Sequence, residues 1–337
     1  MRKYYLLTAT QSGPDLNPGS LFITHGIREL IRLADPDALC FEASLFSYHQ
    51  KHWEVIYDQA DAIFLCGNPR YDRSDAPHFW VSGIWEFFEA ARKKGILTGD
   101  LFGGAASPLP FDSPVDDVKK LLSFKRNRAT AAAQGALDAL VTRDRTAADI
   151  AKSVHRDPLF FPCSTWWAKD YLHIAAAPGI RNAITIPSLH CTPALIRSLA
   201  SLEKNFHNTL PTYIVAHCAN EFAILRETLP DHPRTVCLSD PVSLLQFYAG
   251  CSYLISARLH AAIPALSLDA MVCPIAMDGR ALALEAFGMR PIPYTALATG
   301  NFALAFTTLP LNHPPDPRGF VEYFKKTIVN RLRDKGV

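Results

Sequence analysis

The chain has no C-x-x-C pair, no unbroken apolar run of eighteen residues, no G-x-G-x-x-G turn and no large excess of either charge. Each absence excludes something. Its eight cysteines, at 40, 66, 163, 191, 218, 237, 251 and 273, stand singly. That argues against a zinc ribbon or a thioredoxin-like redox pair. Cys66 and Cys251 sit inside apolar runs, as buried free thiols do, which points to a reducing compartment. Without a long apolar run no helix is expected to span a bilayer. The start, MRKYYLLTATQSGP, has too short an apolar stretch for a signal peptide and reads as a first strand. The expected location is therefore the cytoplasm, with the inner membrane surface open as a place to meet a lipid-linked substrate. Thirty-four basic against 32 acidic residues leave a net charge of +2, without the clustered basic face that nucleic acid requires. No metal is expected: His49 and His52 flank Lys51 with no third ligand nearby. The missing glycine-rich turn speaks against a dinucleotide, so no cofactor is expected. There is no internal repeat or low-complexity tract.

What is present is a regular alternation. The 337 residues, 49% hydrophobic and 20% charged, suit a soluble protein of two ordinary domains. Short apolar runs at Tyr4–Thr8, Ala38–Phe41, Ala62–Cys66, Ile96–Leu101 and Ala139–Thr142 read as strands. Between the first two, Ile23, Ile27, Leu30 and Ala34 share one helical face. Trp85, Phe88 and Ala91 share another, on a helix that stops at Lys93-Lys94-Gly95. A second series of strands follows at Ala183–Ile186, Tyr213–Ala216, Thr235–Leu238, Tyr253–Ile255 and Ile275–Met277. Helices between them include Thr192–Phe206 and Asp240–Ala249, opening at Thr192-Pro193 and Asp240-Pro241. Such β-α alternation predicts parallel βαβ units.

The expected fold is α/β: two Rossmann-like domains facing a cleft, a GT-B-like arrangement. Their expected extents are residues 1–174 and 183–311, joined near Ala175–Gly179. The run Asn312–Pro317 breaks structure, and a helix over 319–334 is expected to return to the first domain.

Residues 251–280 carry the most chemistry. Strand Tyr253–Ile255 runs into Ser256-Ala257-Arg258-Leu259-His260 and a small-residue helix from about Ala261. A second strand, from Pro274 to Met277, leads to Asp278-Gly279-Arg280 and a further helix. Two guanidiniums and an imidazole near two helix starts suggest a site for a small, multiply charged anion. Arg143 ends a strand at the C-terminal edge of the first sheet, where clefts form.

In this region the chain resembles the polysaccharide pyruvyl transferase family. S-A-R-L-H-A-A-I-P-A-L (256–266) is similar to its G-x-R-L-H-x-x-x-x-A-L element, and Pro274 to its P-x-I strand start. Asp278-Gly279-Arg280 looks like the D-x-R of some members. Asn17-Pro18-Gly19-Ser20 resembles its N-x-G-D, with Ser20 in place of the aspartate. Ala60–Ile63 fits its A-D strand, Val141-Thr142-Arg143-Asp144 its S-x-R-D, and Pro162-Cys163-Ser164 its C-P-S or D-P-S loop. The likeness runs over residues 5–290. The family's glycine turn after the third strand is reduced to Gly67-Asn68-Pro69, and its later one appears as Gly103-Gly104.

The resemblance implies transfer of pyruvate from phosphoenolpyruvate to two sugar hydroxyls as a cyclic ketal, in polysaccharide or glycan biosynthesis. Phosphoenolpyruvate would be a donor substrate, and the acceptor a sugar or glycan, free or lipid-linked. Carbon C3 must gain a proton, so His260 is the candidate general acid. Arg258 is the candidate fork for the donor carboxylate or phosphate. Arg143, Arg280 and Ser256 complete the expected donor site, and Asn17, Gly19 and Ser20 the acceptor side. Cys163 as a nucleophile and Trp166-Trp167 as a sugar platform are weaker ideas, since lone cysteines and adjacent tryptophans more often belong to a core. Two other readings stay open. One is a GT-B nucleotide-sugar glycosyltransferase, for which Glu285 is the only obvious ribose-binding carboxylate. The other is a non-catalytic glycan- or anion-binding member.

Overall fold

The structure, a computed structural model, describes residues 1–9, 18–45, 50–72, 83–106, 114–188, 191–299, 304, 306 and 314–337. Asn17 and His49 lie outside the described residues, as does the His52 side chain.

Two all-parallel sheets form the frame. The first contains β1 (Lys3–Thr8), β2 (Leu39–Ser44), β3 (Ala62–Cys66), β4 (Pro69–Asp72), β5 (Leu97–Ala106), β6 (Ala139–Thr142) and β7 (Leu159–Phe160). Its order is β2-β1-β3-β5-β6-β7, with β4 alongside the end of β5. The second contains β8 (Arg181–Thr185), β9 (Thr212–Ala216), β10 (Thr235–Cys237), β11 (Cys251–Ser256), β12 (Met271–Ala276) and β13 (Ile292–Pro293). Its order is β10-β9-β8-β11-β12-β13. Central strands such as β3, Ala-Ile-Phe-Leu-Cys, are buried at every position, as parallel strands covered on both faces must be.

The helices form where the periodicity places them. In the Pro18–Ala34 helix, Ile23, Ile27, Leu30 and Ala34 are all buried. Thr192 and Asp240 cap their helices by accepting from Leu195 N and Ser243 N, each followed by proline. Three expectations need correction. Thr192–Phe206 is not one helix: it becomes a 3-10 turn after Ala200. The Ser198 and Ser201 hydroxyls bond back to the carbonyls of Ala194 and Ser198, competing with the helical ladder. Gly103-Gly104 is not a turn but lies within β5. The helix after Asp278 is 3-10 throughout, Gly279–Phe287.

The chain crosses between the sheets through residues 172–180, pinned by Ala177 N to Ala249 O and Ile180 N to Gly250 O. The last helical segment, Arg318–Asp334, returns to the first sheet. Tyr323 Oη accepts from Leu140 N (2.8 Å) and donates to Leu140 O (3.2 Å), while Phe320 stacks on Phe102 and Phe324 packs edge-on against Tyr4 and tilted against Phe64. Its middle turn, Lys325–Val329, is π-helical. There the Thr327 hydroxyl bonds the Tyr323 carbonyl and disturbs the ladder.

The two halves meet along the Pro18–Ala34 helix. Gly26 has no room for a side chain, because a Cβ there would run into the Ser164 carbonyl. Ser164 in turn donates to Ile23 O at 3.1 Å. Trp166 stacks on Phe287 and Trp167 on Phe161, and Cys163 is fully buried. This segment is core: the tryptophans offer no open face to a sugar, and the thiol is closed to a donor.

Candidate functional site

In the second sheet the strand order reverses between β8 and β11. Chain segments leaving these neighbours diverge there, opening a crevice at their C-terminal ends. A cavity of about 60 Å³ lies at this point. Its walls come from the residues after four strands: Ser188 after β8, His217 after β9, Arg258 and His260 after β11, and Asp278 and Arg280 after β12. Gly19, at the start of the Pro18–Ala34 helix, closes it from the other lobe.

Arg258 sits on the reversal and holds it together. Its Nε donates to the Ile186 carbonyl beyond β8 at 2.9 Å, and its Nη2 pairs with Glu221. Ser256 locks the same loop: its hydroxyl meets Thr185 Oγ1 (2.9 Å), donates to Arg258 O (2.9 Å) and accepts from Arg258 N (3.2 Å). Glu221 caps its own helix start through His217 N at 2.9 Å. An unpaired guanidinium this deep would cost several kcal/mol, so the fork expected for a ligand is committed to Glu221 and Ile186.

Arg280 is also paired. Its Nε and Nη2 bind the Asp278 carboxylate at 2.6–2.9 Å, and Asp278 caps the 3-10 helix through Arg280 N. Arg280 remains partly exposed, with about 30% of its side chain accessible.

Arg143 is different. It does not itself line the cavity but touches His260, which does; among the described residues it is the largest fully buried side chain and forms no ion pair. Among the described residues its one side-chain hydrogen-bond contact crosses to the other lobe, Nη1 to His260 Nε2 at 3.3 Å, and its Nε has no partner. A guanidinium can only donate, so Nε2 accepts and the imidazole proton sits on Nδ1. Burial, then Arg143, Arg280 and Arg258, hold the His260 pKa well below its ordinary value, so the ring is neutral. Arg143 owes its place to Gly104: a Cβ there would stand 2.9 Å from Arg143 Nε and 2.6 Å from Asp144 Oδ2. Asp144 accepts from Ala147 N (2.8 Å) and Ala105 N (2.9 Å), and burial pushes its pKa up to about 6.

Gly19 is buried against the cavity. Ser20 is partly exposed and lies outside its lining; its carbonyl accepts from Thr24 Oγ1. Glu285 is exposed and is not part of the lining either.

Two residues of the site were not singled out in the sequence, Glu221 and His217. The only signal was their place after a strand at a helix start, H-C-A-N-E, the same pattern that marks Arg258. His217 is buried, and its Nε2 lies 2.8 Å from Tyr248 Oη. Burial and Arg258 hold its pKa well below the usual value. Asp278, the one carboxylate in the lining among the described residues, is taken by Arg280, and Glu221, outside the lining, is taken by Arg258, so the polar part of the wall offers hydrogen-bond donors, which suits an oxyanion. Among the described residues no group of three or more His, Cys, Asp or Glu could hold a metal, and no helix is long and apolar enough to cross a membrane.

Comparison with known proteins agrees on the architecture. A model of the polysaccharide pyruvyl transferase family matches residues 17–279. No curated protein matches the sequence significantly. Among solved structures, Staphylococcus aureus MnaA with UDP superposes with a TM-score of 0.57 at 9% identity, covering 89% of this chain and 87% of that one. Methanocaldococcus jannaschii UDP-GlcNAc 2-epimerase, in complex with UDP-GlcNAc and UDP, gives 0.55 at 7% identity, covering 97% and 100%. These likenesses establish the GT-B fold.

Proposed function

The chain belongs to the polysaccharide pyruvyl transferase family, and from that premise we propose that it moves pyruvate from phosphoenolpyruvate to two hydroxyls of a sugar, forming a cyclic ketal. The observation that carries this reading is Arg143, a fully buried guanidinium with no carboxylate in ion-pair contact among the described residues, although Asp144 lies close enough to feel its charge, and with its side chain hydrogen-bonded only to the neutral imidazole of His260. Such a charge is costly to bury unless a ligand completes it. A carboxylate or phosphate does so with paired N–H···O bonds.

The transfer needs a proton on C3 and the loss of phosphate from C2. C3 becomes a methyl group, and C2 exchanges the phosphate ester oxygen and its double bond to C3 for two sugar oxygens. Of the two hydroxyl protons, one is balanced by the proton on C3 and the other leaves with phosphate. No electrons change hands, so fixed charge and proton transfer suffice. Arg143 anchors the donor. His260, neutral in the free protein, gains basicity when the donor's negative charge arrives beside it, and then protonates C3. Arg280, oriented by Asp278, offers a further cationic edge. Arg258 acts as a positioning residue through Ile186 and Glu221, and Ser256 fixes its loop. Gly19 and Ser20, at the start of the Pro18–Ala34 helix, are assigned to the acceptor side, where a sugar or glycan, lipid-linked or free, brings its hydroxyls.

The sugar-nucleotide reading is supported only by the fold neighbours, and Glu285 gives it no carboxylate in the cavity. The test is incubation with phosphoenolpyruvate and a panel of diol-bearing sugars, following phosphate release and the ketal methyl signal by NMR. Phosphate released together with a ketal supports the proposal. No release with any sugar, alongside consumption of a UDP-sugar, would replace it with the rival. Phosphoenolpyruvate binding without turnover would favour a binding protein.

A further inference from the structure

The wall of the cavity contains a second histidine that the scheme above does not use. We infer that His217 contacts the anion held in this cavity, donating from Nδ1 to one of its oxygens, while Tyr248 fixes the ring in the tautomer that makes this possible. The inference rests on the phosphoenolpyruvate reading of the same cavity and adds a ligand contact to it.

His217 is the first residue after β9, on the strand next to the sheet reversal, and it lines the cavity. It is held at two points: its backbone N–H donates to Glu221 Oε2 at 2.9 Å, and its Nε2 meets Tyr248 Oη at 2.8 Å. Tyr248 is fully buried, and burial keeps its phenol protonated. A buried phenol needs an acceptor for its proton, and among the described residues the one within reach is His217 Nε2. Tyr248 therefore donates, and the ring proton of His217 resides on Nδ1. That nitrogen has no hydrogen-bond partner among the described residues, although the residue is only 2% exposed. His217 Nδ1 is not among the polar atoms sealed from solvent without a partner, so its N–H opens on the cavity, where water or a ligand accepts it. A bound oxyanion satisfies it. Because the ring is neutral beside Arg258, it adds a donor without adding repulsion between cations.

Two polar substitutions separate a ligand contact from a structural role. In His217→Asn the side-chain amide nitrogen takes the place of Nδ1; in His217→Gln it takes the place of Nε2. Inorganic phosphate and phosphoenolpyruvate are titrated calorimetrically into the full chain and both variants, with thermal unfolding measured in parallel. The expected result is affinity within about threefold of wild type for His217→Asn. For His217→Gln a loss of about tenfold or more is expected, the scale of a hydrogen bond to a charged group. Equal affinity in all three proteins, or an equal loss in both variants, overturns the inference while leaving the wild-type site intact. If the wild-type chain binds neither phosphate nor phosphoenolpyruvate, the functional reading itself fails, and this inference with it.

Discussion

Replacing Gly104 by alanine adds one methyl group and tests how the site is built. A Cβ on Gly104 would lie 2.6 Å from Asp144 Oδ2 and 2.9 Å from Arg143 Nε, against an ordinary contact of 3.4 Å or more. Relieving both requires shifts of about 0.8 and 0.5 Å. Asp144 resists, because it is pinned by Ala147 N and Ala105 N. Arg143 has only its 3.3 Å contact to His260 and gives way first. Overpacking of this kind costs about 1–3 kcal/mol. A misplacement of about 1 Å in a binding group costs about a hundredfold in turnover, so a shift of about half that in Arg143 is expected to cost about tenfold. Gly104→Ala is therefore expected to unfold at lower guanidinium concentration and to bind phosphoenolpyruvate about tenfold more weakly. Gly319→Ala is the control: it lies in a helix, its Cβ would make an ordinary 3.4 Å contact with Phe161, and alanine favours a helix by up to about 1 kcal/mol. It should be neutral or stabilising, with unchanged binding. If Gly104→Ala matches wild type in both assays, the packing of Arg143 against this strand has been misread.

His260→Gln should keep phosphoenolpyruvate affinity and lose turnover by about a hundredfold or more, the scale of a missing general acid, as measured by steady-state phosphate release. Because burial and three arginines hold the His260 pKa down and a bound anion raises it, binding near neutral pH should take up protons. Calorimetry in buffers of different ionisation enthalpy reads this, and no buffer dependence would contradict it. His25, lowered to about 4 by burial and Arg28, is neutral in the fold like His217 and His260, whereas the unfolded chain protonates all three below about pH 6.5. Stability should therefore fall as pH drops from about 6.5 toward 4, by at most about 1.4 kcal/mol per pH unit per histidine. Asp144, raised to about 6, has the opposite sign and offsets roughly one of them. Denaturant titrations across that range that show constant or rising stability would refute this. Tyr323→Phe removes the hydroxyl that both accepts from and donates to Leu140, and should cost about 1–3 kcal/mol in the same assay.

The strands, the long first helix and the two proline-started caps were legible because their signals are local: apolar runs, a 3.6-residue period and a capping side chain. The R-x-H element was legible for the same reason, with the end of β11, the loop and the helix start lying within ten residues. The partners of these residues were not. Arg258 meets Glu221, 37 residues away, only because the crossover in the second sheet brings the end of β11 beside β8, one strand away from β9. Arg143 meets His260 across 117 residues and two lobes. No periodicity encodes such pairings, so the guanidinium of Arg258 read as available when it is committed to a carboxylate. Gly103-Gly104 read as a turn because glycine is permissive. Here its use is the opposite, a strand that bulges at Phe102 and is then thinned so that Arg70 and Asp100 pack on one residue and Arg143 and Asp144 on the next.

The most direct measurement is calorimetric titration of phosphoenolpyruvate into the wild-type chain and into Arg143→Met. Methionine fills the buried volume without the charge or the fork. The account predicts measurable binding to wild type, and none, or binding weaker by a hundredfold, to a variant that is at least as stable because it no longer buries an unpaired cation. Undiminished binding to Arg143→Met would contradict the central claim that this arginine is kept unpaired for the donor.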